Sequence, residues 1–355
     1  MDKIIKQVVG IDCSKDTLDG SYGRLGADLT QQIQEPAKFN NDPAGVNKML
    51  GWMEKRRQKD LDIVFVVEAT GVYHEVLVNT LVDKGFKVCV VLPNRTSNFF
   101  RTTKIKTIND ASSAKMIAQF GLEKQLELWK KPKDVYRQLK QLTRERCQLI
   151  DQRTVTKNQL HAEESGAFPL SSSIKRMKQL LRLVDKQILD IVNEIQSMVN
   201  SDPQLKHRIE NVCTAPGVGL LTAVTAIAET NGFDLIRNKS QLVSYAGLDV
   251  VEKQSGTSVN KLKRISHKGN KHVRKSLYFP SFTAIKYNPH YKNHYAGLVS
   301  KHGIKMKAAV SVQRKLLVLM YTLWKTDKPY DPEYLKKESG QQSLATPTEL
   351  TQGRS

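Results

Sequence analysis

The chain has 355 residues, and this length predicts two or three domains rather than one uniform core. With 39% hydrophobic and 26% charged residues, the composition excludes a collagen, a mucin-like stalk and a wholly disordered chain. Lysine and arginine number 56 against 35 aspartate and glutamate, and the resulting net charge of +21 indicates a polyanionic partner, with nucleic acid first and an anionic membrane surface second.

Two further features bear on the compartment. No stretch approaches the roughly 20 apolar residues that span a bilayer, and the first residues lack the apolar run of a secretory signal, so we expect no membrane partner. The four cysteines lie far apart without a C-x-x-C pair, which argues against a zinc ribbon or a disulfide scaffold and predicts a reducing cytoplasm.

Strands and helices alternate over residues 1–125. The run from Ile4 to Asp12 predicts a buried strand, and residues 17–23 can pair back on it as a hairpin. Asp42 and Pro43 mark a helix start, and the apolar runs 63–67 and 88–92 predict two more buried strands. This alternation is typical of an α/β domain whose sheet is covered on both faces.

Long helices without strands are predicted over residues 126–205. Apolar residues from Ile174 to Met198 recur in steps of three and four, which is the pattern of a coiled-coil seam. With a break near residues 166–173, the pattern fits an antiparallel helical hairpin that acts as a connector. The seam could join two subunits or pack within one chain, and the sequence leaves both open.

Residues 206–330 are predicted to be mainly helical and strongly basic. From Lys253 to Lys325 there are sixteen lysines or arginines and no aspartate or glutamate. Solvated surfaces normally mix both signs, so this run indicates a phosphate-binding surface rather than a plain basic face. The tail, 331–355, is rich in polar residues and is predicted to be disordered.

Acidic residues follow the predicted strands. Asp12 ends the first strand, Glu68 ends the second apolar run, and Asp110 opens a later helix. If the two strands are neighbours, these carboxylates can meet at one sheet edge, where oxygen ligands suit Mg²⁺ or Mn²⁺. The alternative is a turn residue, a solvated glutamate and a helix N-cap.

Ser255, followed by Gly256, lies in a segment that we expect to be flexible, ahead of a basic run. A serine hydroxyl attacks a phosphate only when a base or a metal activates it and cations offset the developing charge. From the pattern alone, Ser-Gly is usually an ordinary turn.

The order of motifs is more specific than any single one. The chain contains in succession VVGIDCSKDTL, VVEATGVYHEVL, KTINDASSAKMIAQFG, TAPGVGLLTAVTAIAE, LVSYAGLDVVEKQSG and RISHKGNKHVRKSLY. Over about residues 5–325 this series resembles the insertion-sequence-110 family of DEDD transposases, which has Piv invertase relatives and RNA-guided recombinases. The resemblance implies a RuvC-like, RNase H-fold domain, a long helical connector and a mainly α-helical C-terminal domain that carries a serine.

The resemblance also implies roles for individual residues. Asp12, Glu68 and Asp110 match the metal-binding acids, and Ser255 matches the catalytic serine. The family usually has a fourth acid three positions after the third, whereas this chain has Ser113 there. Its hydroxyl could still ligate a metal, so Ser113 leaves open whether a second metal binds and whether this copy is active.

The implied activity is recombination of donor and target double-stranded DNA by a dimer or tetramer, in which one subunit supplies the acids and another the serine. A structured guide RNA is implied for part of the family, and the location would be cytoplasmic, at the nucleoid. The alternatives are a metal-dependent nuclease resembling a Holliday-junction resolvase and a catalytically silent nucleic-acid-binding protein. Basic residues near these motifs are the candidates for contacts with nucleic acid: Arg101, Lys104, Lys106, Lys261, Lys263, Arg264, Lys268, Arg274 and Lys275.

Overall fold

The computed structural model describes residues 3–103, 109–255 and 259–333, and it describes the side chains of residues 253–263 nowhere. Lys104, Lys106 and nearly all of the predicted disordered tail therefore lie outside the described residues. The chain divides into two compact units, Met1–Lys131 and Pro132–Ser355.

The first unit is an α/β domain, as its sequence predicts. Its strands are β1 (Ile4–Cys13), β2 (Thr17–Gly26), β3 (Gln31–Ile33), β4 (Ala37–Asn40), β5 (Ile63–Glu68) and β6 (Lys87–Val91). Its helices are α1 (Pro43–Glu54), α2 (Glu75–Asp83), α3 (Pro93–Phe100) and α4 (Asp110–Glu123).

The sheet has an antiparallel half and a parallel half. Its strand order is β3-β2-β1-β5-β6, with β4 also paired to β2. β1 and β2 run antiparallel, whereas β1, β5 and β6 run parallel. A central first strand between a hairpin and two parallel strands is the topology of the RNase H-like fold, so the predicted fold class is confirmed.

Helix α4 lies close to β1 and β5 because two glycines remove side chains between the helix and the sheet. A Cβ placed on Gly10 of β1 would be 2.2 Å from the backbone nitrogen of Ala118. A Cβ placed on Gly121 of α4 would be 2.7 Å from Val66 Cγ2 on β5. These close contacts fix the position of α4 over the sheet.

The second unit is mainly helical. Its helices are α5 (Asp134–Ser165), α6 (Ser171–Ser201), α7 (Pro203–Cys213), α8 (Leu220–Glu229), α9 (Lys239–Tyr245), α10 (Lys271–Ser276), α11 (Tyr278–Tyr287), α12 (Pro289–His302) and α13 (Lys305–Thr326). A two-stranded sheet, β7 (Val250–Ser255) with β8 (Val259–Ile265), lies between α9 and α10 in the chain. In the described part of the chain, no helix combines the length and apolar composition needed to cross a membrane.

The predicted helical hairpin is formed by α5 and α6, which pack against each other. The predicted seam faces inward: Val184, Ile191 and Ile195 are buried, and other seam positions are partly buried. Ile191 and Ile195 belong to the large core of the second unit, together with Leu139 of α5 and Trp324 of α13. The seam residues therefore pack at least partly within one chain.

The segment predicted to be flexible, residues 252–258, is described only in part: its first four residues belong to β7, and residues 256–258 lie outside the described residues. β7 and β8 pair in antiparallel register from Val250 opposite Ile265 to Ser255 opposite Val259. Both strands contain β-branched residues, and β-branched side chains favour extended backbone even in a region that is otherwise helical and rich in lysine.

Candidate active site

The register of the sheet brings the first two predicted acids together. Ile11 of β1 is paired with Val67 of β5, so the next residues, Asp12 and Glu68, come at neighbouring positions at the carboxyl end of two parallel strands. The carboxyl edge of adjacent parallel strands is where open α/β sheets place their ligand-binding groups. The predicted proximity of these two acids thus follows from strand pairing.

Helix α4 brings the third acid to the same edge. Asp110 is its first residue, and the N-cap is Asn109, whose side chain accepts a hydrogen bond from the backbone of Ser112. Ser112 Oγ in turn accepts one from the backbone nitrogen of Asn109. Since Asn109 performs the capping, the alternative role of Asp110 as an N-cap is wrong, and its carboxylate is available for another role.

Ser113 is on the same helix, at the position of the family's usual fourth acid. It is 9% exposed, and it follows Asp110 by one helical turn. Helical spacing puts Ser113 on the same side of α4 as Asp110.

A fourth carboxylate, which the sequence analysis did not find, comes from β2. Asp19 lies directly opposite Asp12 in the β1–β2 pair and is 7% exposed. A cleft of about 320 Å³ is lined by both of them and by Asp110. Asp19 follows no strand end and belongs to no motif, but its position follows from the short turn after Cys13, which sets the hairpin register.

These carboxylates repel one another. The pKa of Asp12 is raised from 3.8 to about 6, first because the group is buried and then because Glu68, Asp110 and Asp19 place negative charge around it. Burial also raises the pKa of Asp19, while Lys38 opposes that rise from 4.0 Å away. Like charges opposite each other across a strand pair are normally destabilising, so this edge of the sheet has an excess of negative charge.

The donor set fits a hard divalent cation. Asp12, Asp19, Asp110 and Glu68 offer carboxylate oxygens alone, which are the ligands of Mg²⁺ and Mn²⁺. Within the described residues, no three acidic, histidine or cysteine side chains already surround one metal position. The carboxylate of Glu68 instead accepts a hydrogen bond from Thr96 Oγ1 of α3.

The serine candidate lies in the second unit. The backbone of Ser255 ends β7, opposite Val259, and its side chain is outside the described residues, as are the side chains of Lys261 and Lys263 on β8. Arg264, at the other end of β8, is exposed.

The remaining basic candidates differ in what they contact. Arg101, in the first unit, and Lys268 are both exposed. Arg274 donates a hydrogen bond to the carbonyl of Ala246 at 2.7 Å, and Lys275 forms an ion pair with Asp151 at 2.6 Å. The last two therefore also hold the second unit together.

A buried glutamate anchors the helix that carries Arg274 and Lys275. Glu229 of α8 is 1% exposed and receives two hydrogen bonds from Arg144, at 2.6 and 2.9 Å. Asn270 donates to the same carboxylate at 2.7 Å while its side-chain oxygen caps α10. Burial alone would raise the pKa of Glu229, but the hydrogen bonds and positive charge outweigh burial and lower it.

Comparison with known proteins finds models of the same family in both units. A family model for DEDD transposases of the IS110 type, described as Transposase, matches residues 9–169, and one described as Transposase IS116/IS110/IS902 family matches residues 209–296. The pilin gene-inverting proteins of Moraxella bovis and Moraxella lacunata are each 25% identical over 328 residues, which is 92% of this chain and 98% of theirs.

Among solved structures, that of Thermus thermophilus RuvC in complex with a Holliday junction substrate is 11% identical and covers 35% of this chain and 99% of its own, with a TM-score of 0.26. Strand order and polarity, rather than this likeness, define the fold.

The fold, the acidic sheet edge and the two matching models define a DNA-processing enzyme of the transposase and recombinase class. The chain belongs to the IS110 family of transposases, with the pilin gene-inverting proteins among its relatives.

Proposed function

We propose that the protein cuts and exchanges strands of double-stranded DNA, with Ser255 as the nucleophile and the acids of the first unit as a metal-binding set. The observation that carries this proposal is the cleft that Asp12 and Asp110 line, with Glu68 beside Asp12, in a member of a transposase family. The strongly basic run around Ser255 supports a DNA substrate, because lysine and arginine neutralise backbone phosphates.

The chemistry is two successive phosphoryl transfers. Ser255 Oγ loses its proton to a base and forms a bond to phosphorus, while the bond from phosphorus to one sugar oxygen breaks and that oxygen takes up a proton. The hydroxyl of the partner strand then attacks the phosphoserine, and Ser255 leaves with its proton restored. Each broken phosphodiester is replaced by another, so strand exchange needs no external energy source.

The first unit supports this chemistry with charge. When Mg²⁺ or Mn²⁺ is bound, it polarises the phosphate under attack. Asp12, Glu68 and Asp110 would hold the ion, with Ser113 or Asp19 near the fourth position. Glu68 would exchange its hydrogen bond with Thr96 for a metal contact.

Family membership supports the further partners. We propose donor and target double-stranded DNA as substrates, with a structured RNA that selects them by base pairing. We also propose a dimer or tetramer, in which the acids of one subunit act with Ser255 of another. The helical hairpin of α5 and α6 is the candidate element for this assembly, since Leu183 and Leu189 of α6 are 52% and 59% exposed.

The test is the formation of a covalent protein–DNA product. The full chain is incubated with Mg²⁺, RNA transcribed from the flanks of its element and labelled DNA that carries donor and target sites. Denaturing gels are run with and without protease. Ser255→Ala and Asp12→Asn should abolish a protease-sensitive labelled product, whereas Ser258→Ala, in the same segment, should retain it.

Other outcomes would assign another function. Cleavage without a covalent product, retained in Ser255→Ala, would show a hydrolytic metal-dependent nuclease. Binding of DNA without cleavage in any condition would show a silent nucleic-acid-binding protein. The replacement of the usual fourth acid by Ser113 would then explain the loss of cleavage.

A further inference from the structure

A large groove lies in the second unit, outside the acidic cleft. It has a volume of about 990 Å³ and is lined by residues of α5, β8, α10, α11 and α13, together with the segments that join them. Six lysines or arginines and a single carboxylate, Asp151, are among the described residues that line it. The groove is therefore built for an anionic occupant.

The floor of the groove is apolar and exposed to solvent. Tyr278, Ile304 and Met306 line it and are 38%, 53% and 49% exposed. Val310 and Ile265 add partly buried apolar surface. Exposed apolar side chains that line one groove within a strongly basic region mark a site that another molecule covers.

The cations of the groove fall into two groups. Arg144 and Lys275 form ion pairs with Glu229 and Asp151, and Arg274 donates a hydrogen bond to the carbonyl of Ala246, so these three brace the wall. Arg264, Lys271 and Lys307 are exposed along the lining. An occupant thus meets positive charge beside an apolar, partly aromatic floor.

We propose that this groove binds an unpaired stretch of nucleic acid, with a base against Tyr278 and Met306 and the adjacent phosphates on Arg264, Lys271 and Lys307. This inference rests on the proposed function in that the partner is a nucleic acid. A duplex keeps its bases stacked inside and presents phosphates, so it offers no base face that could stack on an aromatic ring. An apolar and aromatic floor beside cations is the arrangement that single strands use.

The position of the groove relates it to Ser255 through one strand. β8 runs from Val259, opposite Ser255, to Arg264 in the lining of the groove, five residues or roughly 17 Å along an extended backbone. A strand that has left its duplex close to Ser255 can therefore continue into the groove. DNA and RNA share the required chemistry, so the experiment separates them.

The experiment measures binding of the full chain to three fluorescent probes: a 12-nucleotide oligo-dT, a 12-nucleotide oligo-U and a 12-base-pair DNA duplex. Tyr278→Leu removes the ring from the floor, and Phe279→Leu is its control, because Phe279 is 76% exposed next to it but does not line the groove. Lys307→Ala is compared with Lys305→Ala at the start of the same helix, which also lies outside the lining.

Tyr278→Leu should weaken the binding of oligo-dT or oligo-U at least about 5-fold and change duplex binding by less than about 2-fold. The reason is that base stacking is lost whereas phosphate contacts are retained. Lys307→Ala should weaken the binding of the single strands more than Lys305→Ala does. The preferred oligonucleotide identifies DNA or RNA as the source of the strand.

Equal losses of single-strand binding in Tyr278→Leu and Phe279→Leu, or no loss in either, would overturn the inference, whereas retained duplex binding would leave the DNA substrate of the proposed function in place. Displacement of the oligonucleotides by polyglutamate of equal charge would assign the groove to an acidic protein segment instead. A wild-type protein that binds neither duplex nor single strand would contradict the proposed function itself. Tyr278→Leu is checked for folding by circular dichroism, and the exposed Lys307 provides the test if that variant does not fold.

Discussion

Ionised Asp12 lowers the stability of the folded protein. Because its pKa is raised from 3.8 to about 6, the folded state holds its proton more tightly than the unfolded state does. The resulting stabilisation is complete below about pH 4 and is lost as the pH rises through about 6. At neutral pH the ionised group therefore opposes folding of the free protein.

Asp12→Asn should accordingly stabilise the protein at pH 7.5 by on the order of 1 kcal/mol, after allowance for the screening of a partly exposed group, while it abolishes strand cleavage. Urea unfolding at a series of pH values measures this difference. The two proteins should become equally stable near pH 4, which serves as the internal control. A destabilised Asn variant at pH 7.5 would contradict the account of repulsion at this edge.

Mg²⁺ or Mn²⁺ should relieve the same repulsion. Added Mn²⁺ should raise the thermal unfolding temperature of the wild type more than that of Asp12→Asn or Asp19→Asn, because each substitution removes one negative charge from the cleft. The same variants can be titrated with Mn²⁺ by calorimetry, which does not depend on DNA cleavage. An equal shift in all three proteins would place the bound ion elsewhere.

The buried carboxylate of Glu229 stabilises the second unit through its hydrogen bonds with Arg144 and Asn270. Glu229→Gln should destabilise the second unit by about 2 kcal/mol, because Arg144 and Asn270 lose a charged partner in a buried position. Glu210→Gln, in an exposed ion pair with Lys206 at 4.0 Å, is the control and should change stability by less than about 0.5 kcal/mol.

The destabilisation caused by Glu229→Gln should decrease as the pH falls. The pKa of Glu229 is lowered from 4.5, so its ionised form contributes stability above pH 4.5 that disappears as the pH falls through the lowered value. The difference in unfolding free energy between wild type and Glu229→Gln should therefore be smaller at pH 4 than at pH 7. Urea unfolding at the two pH values would measure it. A gap that widens would contradict the assigned ion pair.

At the scale of elements, the site depends on how closely α4 approaches β1. Gly10→Ala would place a Cβ 2.2 Å from the backbone of α4, and backbone atoms cannot rotate away as a side chain can. We expect a loss of more than about 2 kcal/mol, together with weaker Mn²⁺ binding because Asp110 begins the displaced helix. Unfolding and metal titration would measure the two effects.

A second glycine provides the control for that substitution. Gly51 lies within α1, and a Cβ added there would meet no other atom within 4 Å. Gly51→Ala should therefore stabilise the protein by about 0.5 to 1 kcal/mol through helix propensity. If Gly10→Ala behaved like Gly51→Ala, the close packing of α4 would be refuted.

Much of the element order could be predicted from the sequence, for physical reasons that differ between regions. β5 and β6 are nearly continuous apolar runs, and β1 contains one from Val8 to Ile11, because a buried parallel strand leaves little choice of composition. β3 and β4 have three and four residues and are at most half-buried, so they carry no such pattern. Asp19 required the register of a hairpin, which is a property of two strands together.

At the scale of the whole molecule, the chain separates its chemistry into two compact units. The acids lie in Met1–Lys131, and Ser255 lies in Pro132–Ser355. Motif order along the chain indicated both sets of residues, because each motif is local. In the proposed function they act together only in an assembly with nucleic acid, which no periodicity in a single chain encodes.

The most direct test of the central claim is to identify the atom that becomes attached to DNA. After the reaction, the covalent product is trimmed with nuclease and digested with trypsin, which cleaves after Lys253 and Lys261 and releases the peptide QSGTSVNK. Fragmentation by mass spectrometry should place a nucleotide phosphate on Ser255. Attachment to Ser258 or to another residue, or recombined DNA formed without any attached peptide, would contradict the account.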